Sequence, residues 1–597
     1  MKVLRWLDQY LEEALLLIML CAMTLVMGVQ VAARYVLGSS LSWSEEITRF
    51  LFIVSGFISA SFCIKKGASV KIDQLVGMLP GKGVHIFRLI SYSVQLVFFA
   101  YLIPFAWKYV AAGMESGQRS PACGIPMYII QSFTVISFVL CVIRLIQKWM
   151  YRLQIILGVR DGKEEEYMSS AVVMILFFVC LLIAIPISVS LGIVSVLPGV
   201  FDSSFTASAS YVIRSMFGGL DSFPLLAVPM FILSGIIMAR GGISKRLFDL
   251  FAYFIGKRTA GLPCAAVVTC LFYGAISGSG IATVAAVGSM TIPLLVHLGY
   301  DKKFCTALVA VAGSLGVIIP PSIPFIMYGM ASGVSVSDIF IAGIIPGILI
   351  GVLLMVYAVY YCRKNGEDKE KINEEIGKLR EKGLWRVFRS SFFAVLSPVI
   401  ILGCIYSGVA SPTEAAVISV FYSLIISLFV YRSLQWRELY AVFSEAVKTY
   451  APILFILAAS IAFSRVLTLM QVPQTISTWI LDSFAGNKVL ILIVVNIFLL
   501  FVGMVMDTTP AILILTPILL PIMNGVGVDS IHFGVMMVVN LAIGFVTPPI
   551  GVNLFVASSL TDIPVVQIAK RALPMIGYFL IALILITFIP QISLALL

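Results

Sequence analysis

The chain has 597 residues, 60% of them apolar and only 12% charged, with a formal net charge of +11 and a mean hydropathy of +1.07. A soluble chain would carry about a quarter of its residues charged, so a soluble enzyme and a disordered scaffold are both excluded. The composition is that of an all-α polytopic membrane protein, and its basic excess calls for no nucleic-acid partner, because insertion itself places Lys and Arg in cytoplasmic loops.

Lys2 and Arg5 precede an uncharged stretch, 14–33, with no small-residue cleavage site after it. At about 20 residues it is long enough to span, so a retained first span with a cytoplasmic N-terminus is expected. Segments 47–64, 84–113 and 127–146 complete four spans, with Lys65, Lys66, Lys71, Lys82, Arg144, Lys148 and Arg152 on the cytoplasmic side. Residues 148–168, with Arg160 to Glu166, read as a linker between modules 1–147 and 169–597. The first part of the linker, 149–157, is amphipathic enough to lie on the membrane surface.

The second module starts with a span from about 171 to 199 and a return over 220–239 to Arg240, Lys245 and Arg246. Two apolar arms follow, 260–276 and 281–298, joined by Ser277-Gly278-Ser279-Gly280 and flanked at both ends by basic residues. Both ends therefore lie inside, and the pair is a re-entrant hairpin. Segment 304–333 crosses outward but is interrupted at Pro320-Pro321, and 338–361 returns to a polar loop, 362–389. Spans 390–407 and 413–431 come next, then an amphipathic surface piece, 436–447, and a span over 450–470. A second apolar pair, 489–506 and 510–523, is joined by Asp507-Thr508-Thr509 with both flanks outside. Segment 531–560, broken at Thr547-Pro548-Pro549, and 572–592 bring the C-terminus to the outside.

The second module repeats itself. Pro229-Met230-Phe231-Ile232-Leu233 matches 452–457, Thr291-Ile292-Pro293-Leu294-Leu295 matches 516–520, and Gly316 to Pro321 matches Gly544 to Pro549, each about 225 residues on. The two halves, about 220–361 and 450–592, are oppositely oriented, since one hairpin enters from inside and the other from outside. Inverted repeats with broken helices at matching positions point to a secondary transporter. Backbone that leaves the helix at membrane depth costs several kcal/mol per unpaired group. Such breaks are tolerable where protein, ion or substrate completes the bonds; ordinary helix kinks are the bland alternative.

Asp507 sits at a hairpin tip at membrane depth, where an ionised carboxylate costs roughly 2.5–3.5 kcal/mol or more. With Thr508 and Thr509 it offers hard oxygens for Na⁺ or a proton-carrying group, and as an N-cap it has a structural alternative. Ser277, Gly278, Ser279 and Gly280 form the equivalent tip without a carboxylate. Arg465 lies within an apolar span and suits a substrate carboxylate, or else an ion pair with Asp507. Gly316, Ser322, Thr547 and Asn553 border the two breaks. The chain contains no GxxxxGK[ST] phosphate loop. An intramembrane serine protease would find only His297 near Ser277 or Ser279, and a passive channel would not need hairpins in inverted register.

Trp43-Ser44-Glu45-Glu46 before the second span resembles the small membrane subunit of tripartite ATP-independent periplasmic (TRAP) transporters. Gly274 to Gly280, the two Pro-Pro breaks and Asp507-Thr508-Thr509 resemble the large subunit. The resemblance covers nearly the whole chain, and the fused small-then-large order is known in that family. It implies a four-helix small-subunit module fused to an inverted-repeat, elevator-type module in the bacterial inner membrane. It further implies import of a small organic acid with co-transported Na⁺, after delivery by a periplasmic substrate-binding protein. Ser277, Gly278, Gly316, Asp507, Thr508, Thr509 and Thr547 are then the expected Na⁺ positions, and Ser279, Ser322, Arg465, Asp507 and Asn553 the substrate positions. C4-dicarboxylates, sialic and other sugar acids, and sulfonates are all carried in the family, with the fused architecture leaning to sialic acid. The alternative is a freestanding Na⁺- or H⁺-coupled carboxylate symporter of related fold.

Overall fold

In lipid, backbone N–H and C=O groups have no water to bond, so long apolar runs must fold as helices. The computed structural model of the chain describes residues 2–66, 82–156, 186–201, 208–484, 486–548 and 551–597. Among these, the regular structure is helical apart from one isolated bridge between Arg119 and Pro126, and twelve helices are long and apolar enough to cross a membrane. Part of the expected span from 171, residues 157–168 of the linker and Pro549 of the second break lie outside the described residues.

Two compact units divide the chain: Met1–Pro229 with Phe443–Thr475, and Met230–Val442 with Ile476–Leu597. The units cut across the linear modules, because helices associate by their apolar faces and not by chain order. The first unit contains α1 (Lys2–Val36), α2 (Ser42–Lys66), α3 (Lys82–Ser116), α4 (Met127–Ile156), α5 (Ile187–Phe201) and α6 (Ala209–Leu220). Most of the long helix Leu439–Leu469 joins them. The core of this unit is aromatic, with the Phe99 ring 5.7 Å from Phe138 and 6.0 Å from Phe455.

Charge is also buried in the first unit. Glu12, fully inaccessible, binds Lys65 Nζ at 2.5 Å and Arg144 Nε at 2.6 Å. Glu13 binds Lys66 Nζ at 2.6 Å and Lys448 Nζ at 3.5 Å, and accepts a hydrogen bond from Ser444 Oγ at 2.8 Å. The start of α1, the ends of α2 and α4 and the start of the long helix thus share one end of the unit. The expected surface helix at 149–157 is corrected here. Through Ile156 it continues α4, and Trp149 Nε1 donates to Ser93 Oγ on α3 at 3.0 Å, so the segment starts as part of a packed helix and not as a separate surface piece. The expected surface piece 436–447 is likewise a single 3₁₀ turn, Trp436–Glu438, running straight into Leu439–Leu469, whose Ala446, Val447 and Tyr450 are buried.

The second unit begins near α7 (Ala227–Arg240) and α8 (Ile243–Ile255). The first hairpin is α9 (Gly261–Ser277) with α10 (Gly280–His297), and the first interrupted helix is α11 (Lys302–Gly313) with α12 (Ile323–Ser332). Then come α13 (Val336–Asn365), the polar α14 (Lys369–Glu381), which lies inside the expected loop 362–389, α15 (Leu384–Tyr406) and α16 (Pro412–Ile425). The long helix Leu439–Leu469 is α17, followed by α18 (Val472–Ser483). The second hairpin is α19 (Lys488–Val505) with α20 (Thr508–Gly525), and the second interrupted helix is α21 (Ser530–Gly544) with α22 (Val552–Thr561). Last come α23 (Val565–Phe588) and the short α24 (Gln591–Leu594).

The order hairpin, interrupted helix, long helix thus occurs twice, in α9–α13 and α19–α23. The two copies run in opposite directions. Glu367, just past the end of α13, accepts hydrogen bonds from Ala260 N at 2.9 Å and Tyr300 Oη at 2.7 Å, at the base of the first hairpin. Tyr328, shortly before the start of α13, donates to Ser530 O at 2.5 Å, at the base of the second. α13 is about 45 Å long at 1.5 Å per residue, so the hairpins enter from opposite ends of the unit.

Replacing Glu12 by Gln removes the buried carboxylate that Arg144 and Lys65 share, and breaking a buried ion pair by removing one partner costs about 3–5 kcal/mol. Thermal unfolding in detergent should show Glu12→Gln strongly destabilised. An unchanged unfolding temperature would mean the network holds nothing together.

Candidate functional site

At the first tip α9 ends in Gly278, which adopts φ +61 and donates its N–H to Gly274 O at 2.9 Å. Ser279 then caps α10, its hydroxyl accepting from Ala282 N at 3.4 Å. Ser277 Oγ lies 3.2 Å from Thr283 Oγ1, and Thr283 Oγ1 donates to Ser279 O at 2.8 Å. At the second tip α19 stops at Val505, Met506 is extended, and Asp507 caps α20 by accepting from Thr508 N at 2.7 Å. Asp507 is half-buried, whereas Thr508 and Thr509 are buried. Each tip therefore sets the carbonyl end of one helix, which suits cations, beside the N–H end of the next, which suits anions.

The interrupted helices are built from the same parts. α11 gives way at Ser314 to a 3₁₀ turn, Ser314–Val317, so the break starts earlier than Pro320-Pro321. Ser322 caps α12, accepting from Phe325 N at 3.4 Å while its own Oγ donates to Val317 O at 2.5 Å. In the second break Thr547 Oγ1 donates to Ile543 O at 2.7 Å. Asn553 N donates to Phe545 O at 3.0 Å, closing the turn between α21 and α22.

Glycines let these pieces meet backbone to backbone. A Cβ on Gly274 would stand 2.7 Å from Gly316 Cα, and one on Gly316 would stand 2.7 Å from Ser279 O. Gly278 O accepts from Ile323 N at 3.4 Å, which joins the first tip to the first break. At the second hairpin a Cβ on Gly544 would stand 2.6 Å from Gly503 Cα. The pair Gly503–Gly544 thus repeats Gly274–Gly316 about 228 residues on.

The two halves also interlock. Asn553 Nδ2 donates to Ala310 O and Ser314 Oγ, each at 3.2 Å, so the second break is bonded to the first. A Cβ on Gly280 would meet the Phe545 ring at 3.3 Å. α10 packs on α22, and α20 packs on α12. The structure thus brings Ser277, Gly278, Ser279, Gly316, Ser322 and Asn553 into one bonded cluster around the first tip and both breaks. Asp507, Thr508 and Thr509 stand at the second tip, whose arms pack on α12 and α21.

Arg465 belongs to the first unit. It is exposed and lies four residues from the end of α17, not in mid-span, with Nη1 3.8 Å from the Cβ position of Gly218. Sequence reasoning missed the glycine pairs and a buried amide pair behind the second hairpin. There Asn540 Nδ2 donates to Asn496 O at 3.0 Å and Asn496 Oδ1 at 2.7 Å. The signal for the glycines was present, since Gly503 and Gly544 fall at the repeat offset from Gly274 and Gly316.

Two re-entrant hairpins and two interrupted helices in inverted order around interior polar ends define a transport permease and not an enzyme. Residues 174–592 match the family described as "Tripartite ATP-independent periplasmic transporter, DctM component", and residues 23–155 match the DctQ component of the same transporters. The chain belongs to the tripartite ATP-independent periplasmic transporter family, with both membrane components in one polypeptide. It is therefore a multi-pass inner-membrane protein.

A relative from Oleidesulfovibrio alaskensis, "Isethionate TRAP transporter permease protein DctMQ", is 36% identical over 99% of this chain and 95% of its own. "C4-dicarboxylate TRAP transporter large permease protein DctM" of Pseudomonas aeruginosa is 42% identical over 64% of this chain and 88% of its own. "Sialic acid TRAP transporter permease protein SiaT" of Haemophilus influenzae is 29% identical over 99% of this chain and 98% of its own.

Gly544→Ala forces a methyl into the Gly503 backbone and should destabilise by about 1–3 kcal/mol or more, as overpacking does. Gly577→Ala, with open space around its Cβ position, should be neutral or slightly stabilising in thermal unfolding. Equal effects of the two would contradict the close backbone approach.

Proposed function

We propose that the protein imports a small organic acid anion using a Na⁺ gradient. It receives the acid from a periplasmic binding protein and carries it by an elevator movement of the hairpin-bearing body. The observation that carries this reading is the pairing at each tip of a helix carbonyl end with a capped helix N-terminus, one of them bearing the lone carboxylate Asp507. Carbonyl ends, Thr508, Thr509 and Asp507 supply the hard oxygens that Na⁺ prefers. The N–H ends at Ser279 and Ser322 supply donors for an acid. The N-terminus is cytoplasmic in this reading and the C-terminus periplasmic. Arg465, whose guanidinium can pair bidentately with an acid, is kept as a candidate group for the anion.

For the substrate, a short-chain sulfonate is placed ahead of sialic acid. The fused relative named for isethionate is 36% identical over nearly the full length, and the one named for sialic acid 29%. This reverses the order that the fused architecture by itself suggests.

The test is uptake into proteoliposomes with the cognate binding protein, comparing an inward Na⁺ gradient with equal K⁺. Uptake is expected to need both Na⁺ and the binding protein. Uptake with Na⁺ alone would reassign the chain as a freestanding symporter, and uptake driven by a pH gradient would make Asp507 a proton carrier.

In the same assay Asp507→Ser keeps an N-cap residue but removes the charge. It should lose uptake while unfolding within a few degrees of the parent. Wild-type uptake by Asp507→Ser would leave Asp507 as a cap only.

A further inference from the structure

Well away from the tips, the second unit has an open cavity of about 220 Å³ between α8, α10 and α14. Leu294, in its floor, lies 14 residues into α10, which is about 20 Å from the capped end of that helix. Phe248 and Leu294 make the floor apolar, while Lys245 and Asp249 from α8 face Glu375 on α14 and Lys382 just past its end. Lys245, Phe248, Asp249 and Ala252 follow i, i+3, i+4, i+7 spacing, so a single stripe of α8 is given over to this wall. The other wall is held in place. Arg380 donates to Tyr253 O at 3.1 Å and lies over the Tyr253 ring, and Ile376 is buried against Gly256.

The lining carries both signs of charge without pairing them. Among the described residues Asp249 makes no ion pair within 4 Å, and burial pushes its carboxyl above the usual carboxylate range against the opposing pull of Lys245, Lys382 and Arg246. Lys378, also at the rim, is already paired with Glu374 at 2.6 Å. A simple anion would meet Asp249 and Glu375, and a simple cation would meet Lys245 and Lys382. An amphiphile that carries both charges on a polar head satisfies all four and leaves its chain to the apolar floor.

We propose that this cavity seats an inner-leaflet phospholipid whose headgroup carries both a phosphate and a primary amine. The phosphate is held by Lys245 and Lys382, the ammonium by Asp249 and Glu375, and the start of an acyl chain by Phe248 and Leu294. The assignment rests on the reading that places the base of the first hairpin on the cytoplasmic side, where basic clusters flank the helices and lipid headgroups lie.

The experiment uses the full chain, delipidated in detergent, and reads unfolding temperature and retained lipid by native mass spectrometry. Phosphatidylethanolamine, phosphatidylglycerol and soluble phosphoethanolamine are added back separately. Phosphatidylethanolamine is expected to raise the unfolding temperature and to remain bound as a single retained molecule, with the other two doing neither. Both effects should be lost in Lys382→Ala and in Asp249→Asn, and kept in Lys371→Ala on the exposed side of α14. Lys382 is exposed and Asp249 only half-buried, so both variants should unfold like the parent before lipid is added. Equal effects of phosphatidylglycerol, equal effects of the soluble headgroup, or retention unchanged by the two cavity variants would each overturn the proposal. None of these outcomes depends on transport, so failure here is separable from failure of the uptake assay.

Discussion

Backbone that stops being helical in the membrane interior must be bonded by something other than water, and the second unit is organised around that constraint. Each hairpin tip and each break loses intrahelical bonds, and the first tip and both breaks recover some of them within and between the interrupted elements. Gly278 O takes the Ile323 N–H, Asn553 closes on Phe545, and the Asn553 amide reaches Ala310 and Ser314. Such bonds need main chains to approach within side-chain distance, which is why Gly274 faces Gly316 and Gly503 faces Gly544. A single interrupted helix would be costly; four that complete one another form a stable body.

The same arrangement concentrates charge without many charged residues. Helix ends carry about half an elementary charge each, and the tips bring ends of opposite sign together. Ser279 and Asp507 are both N-caps, but the two tips are chemically unequal. One offers a hydroxyl and the other a carboxylate. The inverted repeat supplies the symmetry of the frame, and this one substitution of residue type makes the two sides of the site different.

Much of this was legible in the chain. The hairpins, both breaks and the inverted order followed from apolar length, basic flanks and the recurrence of Gly and Pro at a fixed offset, and the arms begin and end within a few residues of expectation. What was not legible was partnership. Amphipathic periodicity at 149–157 and 436–447 reports a polar face and an apolar face without saying whether the segment stands alone or continues a neighbouring helix; in both cases it belongs to a longer helix. Arg465 read as mid-span because its neighbours are apolar, yet α17 ends four residues later. The polar loop 362–389 hid α14, whose stripe of Ile372 and Ile376 is too short to stand out from its charged surroundings. Asn540 and Asn496 lie in otherwise apolar runs and find each other only through tertiary packing.

Covalent fusion is not what holds the first four helices to the stretches of the second module that share their unit. Glu13 on α1 bonds Ser444 and Lys448 on α17, Arg49 on α2 bonds Asp221 at 2.9 Å, and Phe99 on α3 meets Phe455. Three of the four helices thus have their own tie, and Arg144 on α4 is bound to the same end through Glu12. A buried ion pair contributes little when compared with a well-packed apolar substitute, but losing one partner is expensive. The tie of buried Glu13 therefore acts chiefly as a register pin, penalising displacement of α1 along α17 by uncovering a charge. A unit pinned in this way resists sliding of its helices, whereas the hairpin body is held largely by close backbone approaches at glycines, which fix its pieces by shape and not by charge.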